Sequence, residues 1–242
     1  METVTSADGT VIACDRVGAG PALIVCVGAF CTRTTFVATP DLARRFTVVT
    51  YDRRGRGDSG DTGVPGDPGP FAAQREYEDL AAVAAATGTE TPFVFGHSSG
   101  AAIALSAAAA GLPVAGIVAY EAPFGNDDTP RPDADPAERI RDLVAAGRNR
   151  EAVVFWMTEV TRVPGMTPAQ LDGVPWVTAL EPLARALPYD LAVTAGGVPE
   201  TELAKITAPV LILGGTDSPA WFRRSVADQA AATPGAPLSW MS

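Results

Sequence analysis

The pattern with the clearest chemical meaning is the pentapeptide GHSSG at positions 96–100, a G-x-S-x-G motif centred on Ser98. It directly follows an apolar run that predicts a strand and precedes an alanine-rich run that predicts a helix. A serine on such a sharp turn is held in a strained backbone conformation that projects its hydroxyl beyond the sheet edge. Small residues two positions before and after it let strand and helix approach closely. The same turn directs the N–H of Ser99 at this point, so the motif predicts a nucleophilic serine beside a hydrogen-bond donor.

The elements around this motif alternate between strands and helices. Continuous apolar runs, typical of strands covered on both faces of a parallel sheet, occupy 22–28, 46–52, 92–96, 114–120 and 209–215. Segments 3–6 and 11–17 flank Asp8-Gly9 and predict a hairpin. Helical patterns occupy 74–87, 99–110 and 220–232, and a short last apolar segment occupies 237–241. The alternation predicts an α/β fold with a mostly parallel sheet and helices on both faces.

The alternation stops between residues 125 and 208, which hold prolines, acidic residues and helical segments but no run that predicts a buried strand. Capping boxes that begin at Asp135 and Thr167 predict helix N-termini. The apolar segment FWM at 155–157 falls on one predicted helix, where it forms the core of an insertion or the wall of a pocket. The predicted division is a core of residues 1–124 and 209–242 and a helical insertion of residues 125–208.

With these elements in place, the chain resembles an α/β-hydrolase with a cap domain from about residue 3 to residue 241. YDRRGRGDS at 51–59 resembles the family's loop after the fourth strand, which usually reads D-x-R-G-x-G-x-S. The insertion follows the sixth strand, where the family places its cap. LGGTD at 213–217 resembles the end of the seventh strand, where the acid of the catalytic triad lies. The resemblance implies the α/β-hydrolase fold with a serine nucleophile.

The resemblance also implies an oxyanion hole, formed by the N–H of Ser99 and an N–H from the loop after the strand at 22–28. The family usually has His-Gly in that loop, followed by the donor residue. This chain has Val-Gly at 27–28, which makes Ala29 the candidate donor. Phe30 and Cys31 would then line the floor of the pocket.

Two carboxylates are candidates for the acid. Asp217 is favoured by its position after the seventh strand, although a turn or helix-capping aspartate is the alternative interpretation. Glu121 follows the sixth strand, where some members of the family carry the acid. The alternative for Glu121 is a solvated or ion-paired carboxylate at the strand edge, and we expect it in the pocket wall.

The general base is missing from the pattern. The family uses a histidine in the loop after the eighth strand, but here that strand falls at 237–241 and the chain ends at Ser242. The single histidine, His97, is adjacent to Ser98 on the turn, and its side chain should diverge from the hydroxyl into the pocket wall. Loss of the triad histidine costs roughly 10⁶-fold in turnover in subtilisin. The chain as it stands is therefore expected to be a very poor esterase.

Three interpretations follow for the function. The chain is a shortened piece of a serine hydrolase that acts on a small, mostly apolar ester, lactone or amide. Alternatively, it is a catalytically inactive hydrolase-like protein that binds ligands. Or its pocket supports chemistry without serine acylation, as in perhydrolases or cyclases. Dehalogenases and epoxide hydrolases of this fold use an aspartate at the elbow, so Ser98 argues against them.

Composition excludes several other classes of function. The 242 residues carry 18 basic and 28 acidic side chains and a net charge of −10, which disfavours nucleic-acid and anionic-membrane partners. No run approaches the ~20 apolar residues of a membrane span, and the N-terminus lacks secretory-signal features, so we expect a cytoplasmic protein with a small-molecule substrate. One histidine and three cysteines without a CxxC pair predict no metal site, and we expect no cofactor. Cys14 and Cys26 are expected to be buried small hydrophobic residues.

Overall fold

One mixed sheet with helices between its strands forms the part of the chain that the computed structural model describes, residues 1–126, 128, 129, 132, 135–163 and 165–242. The helical insertion predicted at 125–208 therefore includes six residues, 127, 130, 131, 133, 134 and 164, that lie outside the described residues. No helix in the described ranges is both long enough and apolar enough to cross a bilayer.

The strands lie close to the predicted positions. They are β1 (Glu2–Thr5), β2 (Val11–Gly18), β3 (Ala22–Cys26), β4 (Thr47–Tyr51), β5 (Phe93–His97), β6 (Gly116–Tyr120), β7 (Val210–Gly215) and β8 (Leu238–Met241). Their order in the sheet is β1-β2-β4-β3-β5-β6-β7-β8. The pairs β1–β2 and β2–β4 are antiparallel, and the neighbours from β4 to β8 are parallel. This confirms the α/β prediction and brings the carboxyl ends of six strands to one edge.

The helices fall into two groups. Those beside the sheet are α1 (Pro40–Arg45), α2 (Ala72–Ala86), α3 (Ser99–Ala109) and α10 (Ala220–Ala232). Those between β6 and β7 are α4 (Pro136–Ala145), α5 (Asn149–Phe155), α6 (Pro168–Leu171), α7 (Pro175–Leu180), α8 (Leu187–Thr194) and α9 (Glu200–Leu203). A 3₁₀ helix at Glu181–Ala186 leads into α8. The described residues between β6 and β7 contain no strand, as the sequence predicts.

Helix α3 lies between the sheet and helices α2 and α8. Its small side chains are almost all buried, because alanine and glycine allow close contact on every side. The cysteine prediction is confirmed, since Cys14 is 4 % exposed and Cys26 is 0 % exposed. Burial raises the pKa of the Cys26 thiol to about 11, which keeps it neutral.

The two predicted capping boxes have different outcomes. The Thr167 hydroxyl oxygen accepts a hydrogen bond from the Gln170 N–H, and the Gln170 Oε1 accepts one from the Thr167 N–H, so this box is complete. Asp135 accepts from the N–H of Glu138 and caps α4, with proline at the first helical position. The reciprocal bond, from the Asp135 N–H to the Glu138 carboxylate, is not among the contacts of the described residues, so this box is only half formed.

The single helix predicted across 155–157 is wrong in detail. Helix α5 ends at Phe155, and the chain continues as a π-helix over Trp156–Val160. The hydroxyls of Thr158 and Thr161 bond to the backbone carbonyls of Val154 and Trp156, at 3.0 and 3.1 Å. Such hydroxyls compete for the carbonyls of the regular helix, which favours the wider turn.

Candidate active site

Ser98 has a strained backbone at the turn between β5 and α3, with φ 55° and ψ −129°. Its N–H donates to the Tyr120 carbonyl of the neighbouring strand at 2.8 Å, which fixes the turn. A side chain at Gly96 would approach the Ala101 Cα to 2.5 Å, and one at Gly100 would approach the Cys26 carbonyl oxygen to 2.1 Å. The packing therefore requires glycine at both positions and maintains the strain at Ser98.

The loop after β3 passes directly beside Ser98. A side chain at Gly28 would start 2.7 Å from the Ser98 Cβ and 3.2 Å from its Oγ, so the backbone of the loop faces the hydroxyl. Ala29 follows this glycine and Phe30 has a positive φ of 58°. The N–H of Ser99 is at the first position of α3, where a helix provides no acceptor. The two candidate oxyanion donors, Ala29 and Ser99, thus belong to the two backbone segments that meet at Ser98.

A cavity of about 960 Å³ lies over Ser98, between the sheet edge and the helices that follow β6. Its wall is mostly apolar and includes Pro123, Trp156, Val160, Pro188, Leu191, Trp221 and Phe222. A smaller cavity of about 310 Å³ shares Trp156, Thr161 and Phe222 with it and also contacts Phe30 and Glu121. Trp156 is 8 % exposed and packs in the core of the insertion, so both interpretations of the 155–157 segment hold for this residue.

The two candidate acids lie at neighbouring strand ends. The Glu121 Oε1 accepts hydrogen bonds from the N–H of Gly215, at 2.9 Å, and from the Ser218 hydroxyl. Glu121 also has a positive φ of 53°. Asp217 is exposed just after β7, and its carboxylate makes no hydrogen bond or ion pair within the described residues. The Glu121 carboxylate is therefore already hydrogen-bonded to the loop after β7, whereas the Asp217 carboxylate is available to a further partner.

His97 and Cys31 make their contacts away from the Ser98 hydroxyl. The His97 ring packs on Tyr120, with centroids 5.5 Å apart. Cys31 packs against the apolar cluster that contains Val25 and Val48. Within the described residues, neither side chain lines the two cavities, and the Ser98 hydroxyl makes no hydrogen bond. Burial raises the pKa of the Cys31 thiol.

Burial lowers the pKa of His97 below its usual 6.5, although nearby Glu121 acts in the opposite direction. When the pKa of a histidine is lower in the folded state than in the unfolded state, protonation favours unfolding. The folded protein therefore keeps its full stability only at pH values above the unfolded pKa. That stability is lost as the pH falls through 6.5 toward the folded value.

We therefore expect His97→Gln to lose less unfolding free energy than the wild type when the pH falls from about 7.5 to about 5. Urea denaturation across this range measures the difference, and the carboxylates common to both proteins cancel. Parallel pH curves for the two proteins would show that His97 is not desolvated.

The site contains a buried charge network that the sequence analysis missed. Arg53 and Arg56, from the loop after β4, are 0 % and 2 % exposed. Arg53 Nη2 donates to Glu76 Oε1 at 2.7 Å, and Arg53 Nη1 donates to Asp190 Oδ1 at 2.8 Å. Arg56 Nη2 donates to Asp190 Oδ2 at 2.6 Å, and Arg56 Nη1 donates to the Gly28 carbonyl at 2.6 Å. Two buried cations are thus balanced by two buried carboxylates next to the elbow.

Asp190, on α8, also accepts a hydrogen bond from the Ser99 hydroxyl at 2.5 Å. Burial alone would raise the pKa of Asp190, but Arg56, Arg53 and this hydroxyl outweigh it and lower that pKa, so the carboxylate stays ionised. The signals in the sequence were three arginines in one short loop and a single charge in the apolar helix LPYDLAVT. Neither pattern reveals that the two segments meet.

No group of three or more histidine, cysteine, aspartate or glutamate side chains is arranged to hold an ion, as far as the described residues extend. The chemistry that these residues support is that of a serine hydroxyl, backbone donors and carboxylates.

The chain is similar to known hydrolases in both sequence and structure. The sequence pattern of the Alpha/beta hydrolase family matches residues 23–240. No curated protein matches the chain. The solved structure of an alpha/beta hydrolase from Sphaerobacter thermophilus DSM 20745 is 42 % identical, with a TM-score of 0.89, over 100 % of this chain and 92 % of that one.

Two more distant structures share the fold. A putative aryl esterase from Burkholderia cenocepacia is 24 % identical, with a TM-score of 0.72, over 100 % of this chain and 89 % of that one. An esterase from Rhodococcus sp. ECU1013 is 23 % identical, with a TM-score of 0.66, over 99 % of this chain and 89 % of that one.

Proposed function

Because this chain belongs to the alpha/beta hydrolase family, we propose that it is built to cleave a neutral, mostly apolar ester, lactone or amide through attack by Ser98. The observation that carries the proposal is the strained backbone of Ser98 at the base of the apolar cavity. Strain of this kind costs about 1–3 kcal/mol and persists where the surrounding packing enforces it. A serine that served only as a polar contact would not need this conformation.

In the proposed reaction, the Ser98 Oγ forms a bond to the carbonyl carbon, and the carbonyl electron pair moves onto the oxygen. The N–H groups of Ala29 and Ser99 stabilise that oxyanion. The hydroxyl proton passes to a base, which returns it to the departing alcohol or amine as the bond from the carbonyl carbon to that group breaks, so that the acyl group remains on Ser98. Water removes the acyl group in a second addition.

The acid and the base have separate positions in the proposal. Asp217 would orient a protonated base, since its carboxylate has no other partner among the described residues, and Glu121 would brace the loop that carries it. His97 does not serve as the base, because its ring packs on Tyr120. The proton therefore passes to a base other than His97, and an added base such as imidazole can fill that role.

The substrate class follows from the cavity wall. Arg141, the one cation among the described residues that line the large cavity, pairs with Asp67 at 3.7 Å. Asp190 is neutralised by its two arginines. An anionic substrate would therefore lose its hydration without gaining an unpaired cation among these residues. A volume of about 960 Å³ is near the upper end for ligand pockets and admits acyl groups larger than acetyl.

We further propose that the helical insertion acts as a cap. Trp156, Pro188 and Leu191 of this segment line the same cavity as Ser98. A roof of this kind excludes water from the oxyanion and sets the size of the substrate.

Hexylboronic acid tests the proposal without the need for a catalytic base, because boron forms a tetrahedral adduct with a serine hydroxyl at equilibrium. We expect it to bind the wild type at least about a hundredfold more tightly than Ser98→Ala, as transition-state analogues do. Calorimetric titration measures both affinities. Ser106→Ala, a serine on the same helix α3, is the matched control and should bind like the wild type.

The second candidate function is ligand binding without chemistry, favoured by the absence of a hydrogen bond on the Ser98 hydroxyl within the described part of the chain. It predicts equal boronic acid affinity for the wild type and Ser98→Ala, since the apolar wall would supply the binding energy. That result would overturn the hydrolase proposal.

A further inference from the structure

The Gly28–Ala29 peptide unit is held by a buried charge. Arg56 Nη1 donates to the Gly28 carbonyl oxygen at 2.6 Å. That carbonyl and the N–H of Ala29 are the two ends of one planar amide, so a hydrogen bond to the oxygen fixes the direction of the N–H. It also polarises the amide, which makes the N–H a stronger donor.

Asp190 connects this peptide to the second donor. Its Oδ2 accepts from Arg56 Nη2 at 2.6 Å, and its Oδ1 accepts from the Ser99 hydroxyl at 2.5 Å. Arg53 Nη1 joins the cluster, 2.8 Å from Asp190 Oδ1 and 3.0 Å from the Ser99 Oγ. One carboxylate therefore supports both candidate oxyanion donors, Ala29 through Arg56 and Ser99 through its own side chain.

We propose that Asp190 is a positioning residue which, through Arg56 and Ser99, holds both N–H groups of the oxyanion hole in place. The inference rests on the proposed function of Ser98. Because Asp190 lies on α8, between β6 and β7, the helical insertion takes part in assembling the oxyanion hole as well as in roofing the cavity. An oxyanion hole accelerates a reaction only when its donors are already oriented before charge develops.

A purely structural ion pair is available for comparison in the same loop. Arg54 Nη2 donates to Asp79 Oδ1 at 2.7 Å, and both side chains are fully buried, as are Arg56 and Asp190. Arg54 also pairs with Asp8, and neither interaction involves Gly28 or Ser99. Asp79→Asn therefore removes the charge of a buried carboxylate that pairs with Arg54. This ion pair has no contact with the candidate oxyanion donors.

The test compares hexyl trifluoromethyl ketone with the corresponding alcohol. The ketone forms a hemiketal with serine, in which the Oγ–carbon bond forms, the carbonyl oxygen takes the electron pair and the hydroxyl proton goes to solvent. The alcohol fills the same space but develops no oxyanion. Fluorine NMR measures the affinity of both probes at equilibrium, so no catalytic base is required.

We expect Arg56→Lys and Asp190→Asn to weaken ketone binding by at least about tenfold while alcohol binding stays unchanged. Asp79→Asn should change neither affinity. If Asp190→Asn does not fold, Arg56→Lys decides, because lysine keeps the charge near Asp190 but cannot bridge to the Gly28 carbonyl at the same time.

Two results would overturn the inference in distinguishable ways. In the first, the wild type gives a hemiketal signal that depends on Ser98, but Arg56→Lys has the same ratio of ketone to alcohol affinity as the wild type. That result would show that the network has only a structural role. A ketone signal that persists in Ser98→Ala, or that never forms in the wild type, would overturn the proposed function, and the positioning role with it.

Discussion

Added imidazole is expected to raise the rate of p-nitrophenolate release from p-nitrophenyl hexanoate by the wild-type chain at least about tenfold, after the reaction of imidazole with the ester alone is subtracted. A serine hydroxyl is a weak nucleophile until a neighbour accepts its proton, and imidazole has the pKa and the size to do so. The cavity of about 960 Å³ over Ser98 has room for imidazole beside a bound ester.

Ser98→Ala sharpens this experiment. In the absence of imidazole, the variant and the wild type should release p-nitrophenolate at similar rates, because removal of one member of a catalytic set already abolishes most of the contribution of the others. In the presence of imidazole, only the wild type should gain. Equal gains in both proteins would mean that imidazole acts on the ester without the help of Ser98.

Arg53→Met is expected to reduce the free energy of unfolding by about 3–5 kcal/mol, measured by urea denaturation. Arg53 is the sole ion-pair partner of Glu76 among the described residues, and both side chains are fully buried. Removal of the arginine leaves an uncompensated buried carboxylate, which is far more costly than the loss of the pair as a whole.

The double variant Arg53→Met/Glu76→Met should recover a large part of that loss, because the uncompensated charge is removed too. Arg44→Met is the matched control, since Arg44 pairs with Asp41 at the surface and both are more than two thirds exposed. Its stability should equal that of the wild type within error. A double variant no more stable than Arg53→Met alone would contradict the electrostatic explanation.

The fold followed from the sequence wherever local chemistry alone determines the structure. Continuous apolar runs predicted five sheet strands within a few residues, because strands buried on both faces need apolar side chains at every position. The elbow was predicted for a similar reason. Gly96 and Gly100 lie so close to backbone atoms that neither position has room for a side chain. The two glycines of the motif therefore indicate the close contact of strand and helix directly.

The charge network lay beyond sequence analysis because its partners are far apart in the chain. Arg53 and Asp190 are separated by 137 positions and meet only because α8 folds back over the elbow. Glu76 and Asp79 lie three residues apart on the helix predicted at 74–87, and charged side chains on a helix are normally solvated. Their burial depends on where the arginine loop lies, which no local pattern specifies.

The most direct test of the central claim, that Ser98 accepts the acyl group, is peptide mapping by mass spectrometry. The wild-type chain is incubated with p-nitrophenyl hexanoate and imidazole and then quenched in acid, where the ester bond to serine is stable. The account predicts a hexanoyl group on the peptide that contains Ser98, absent from the same peptide of Ser98→Ala. The account would be contradicted if the wild type released p-nitrophenolate faster than Ser98→Ala while its peptide containing Ser98 remained unmodified.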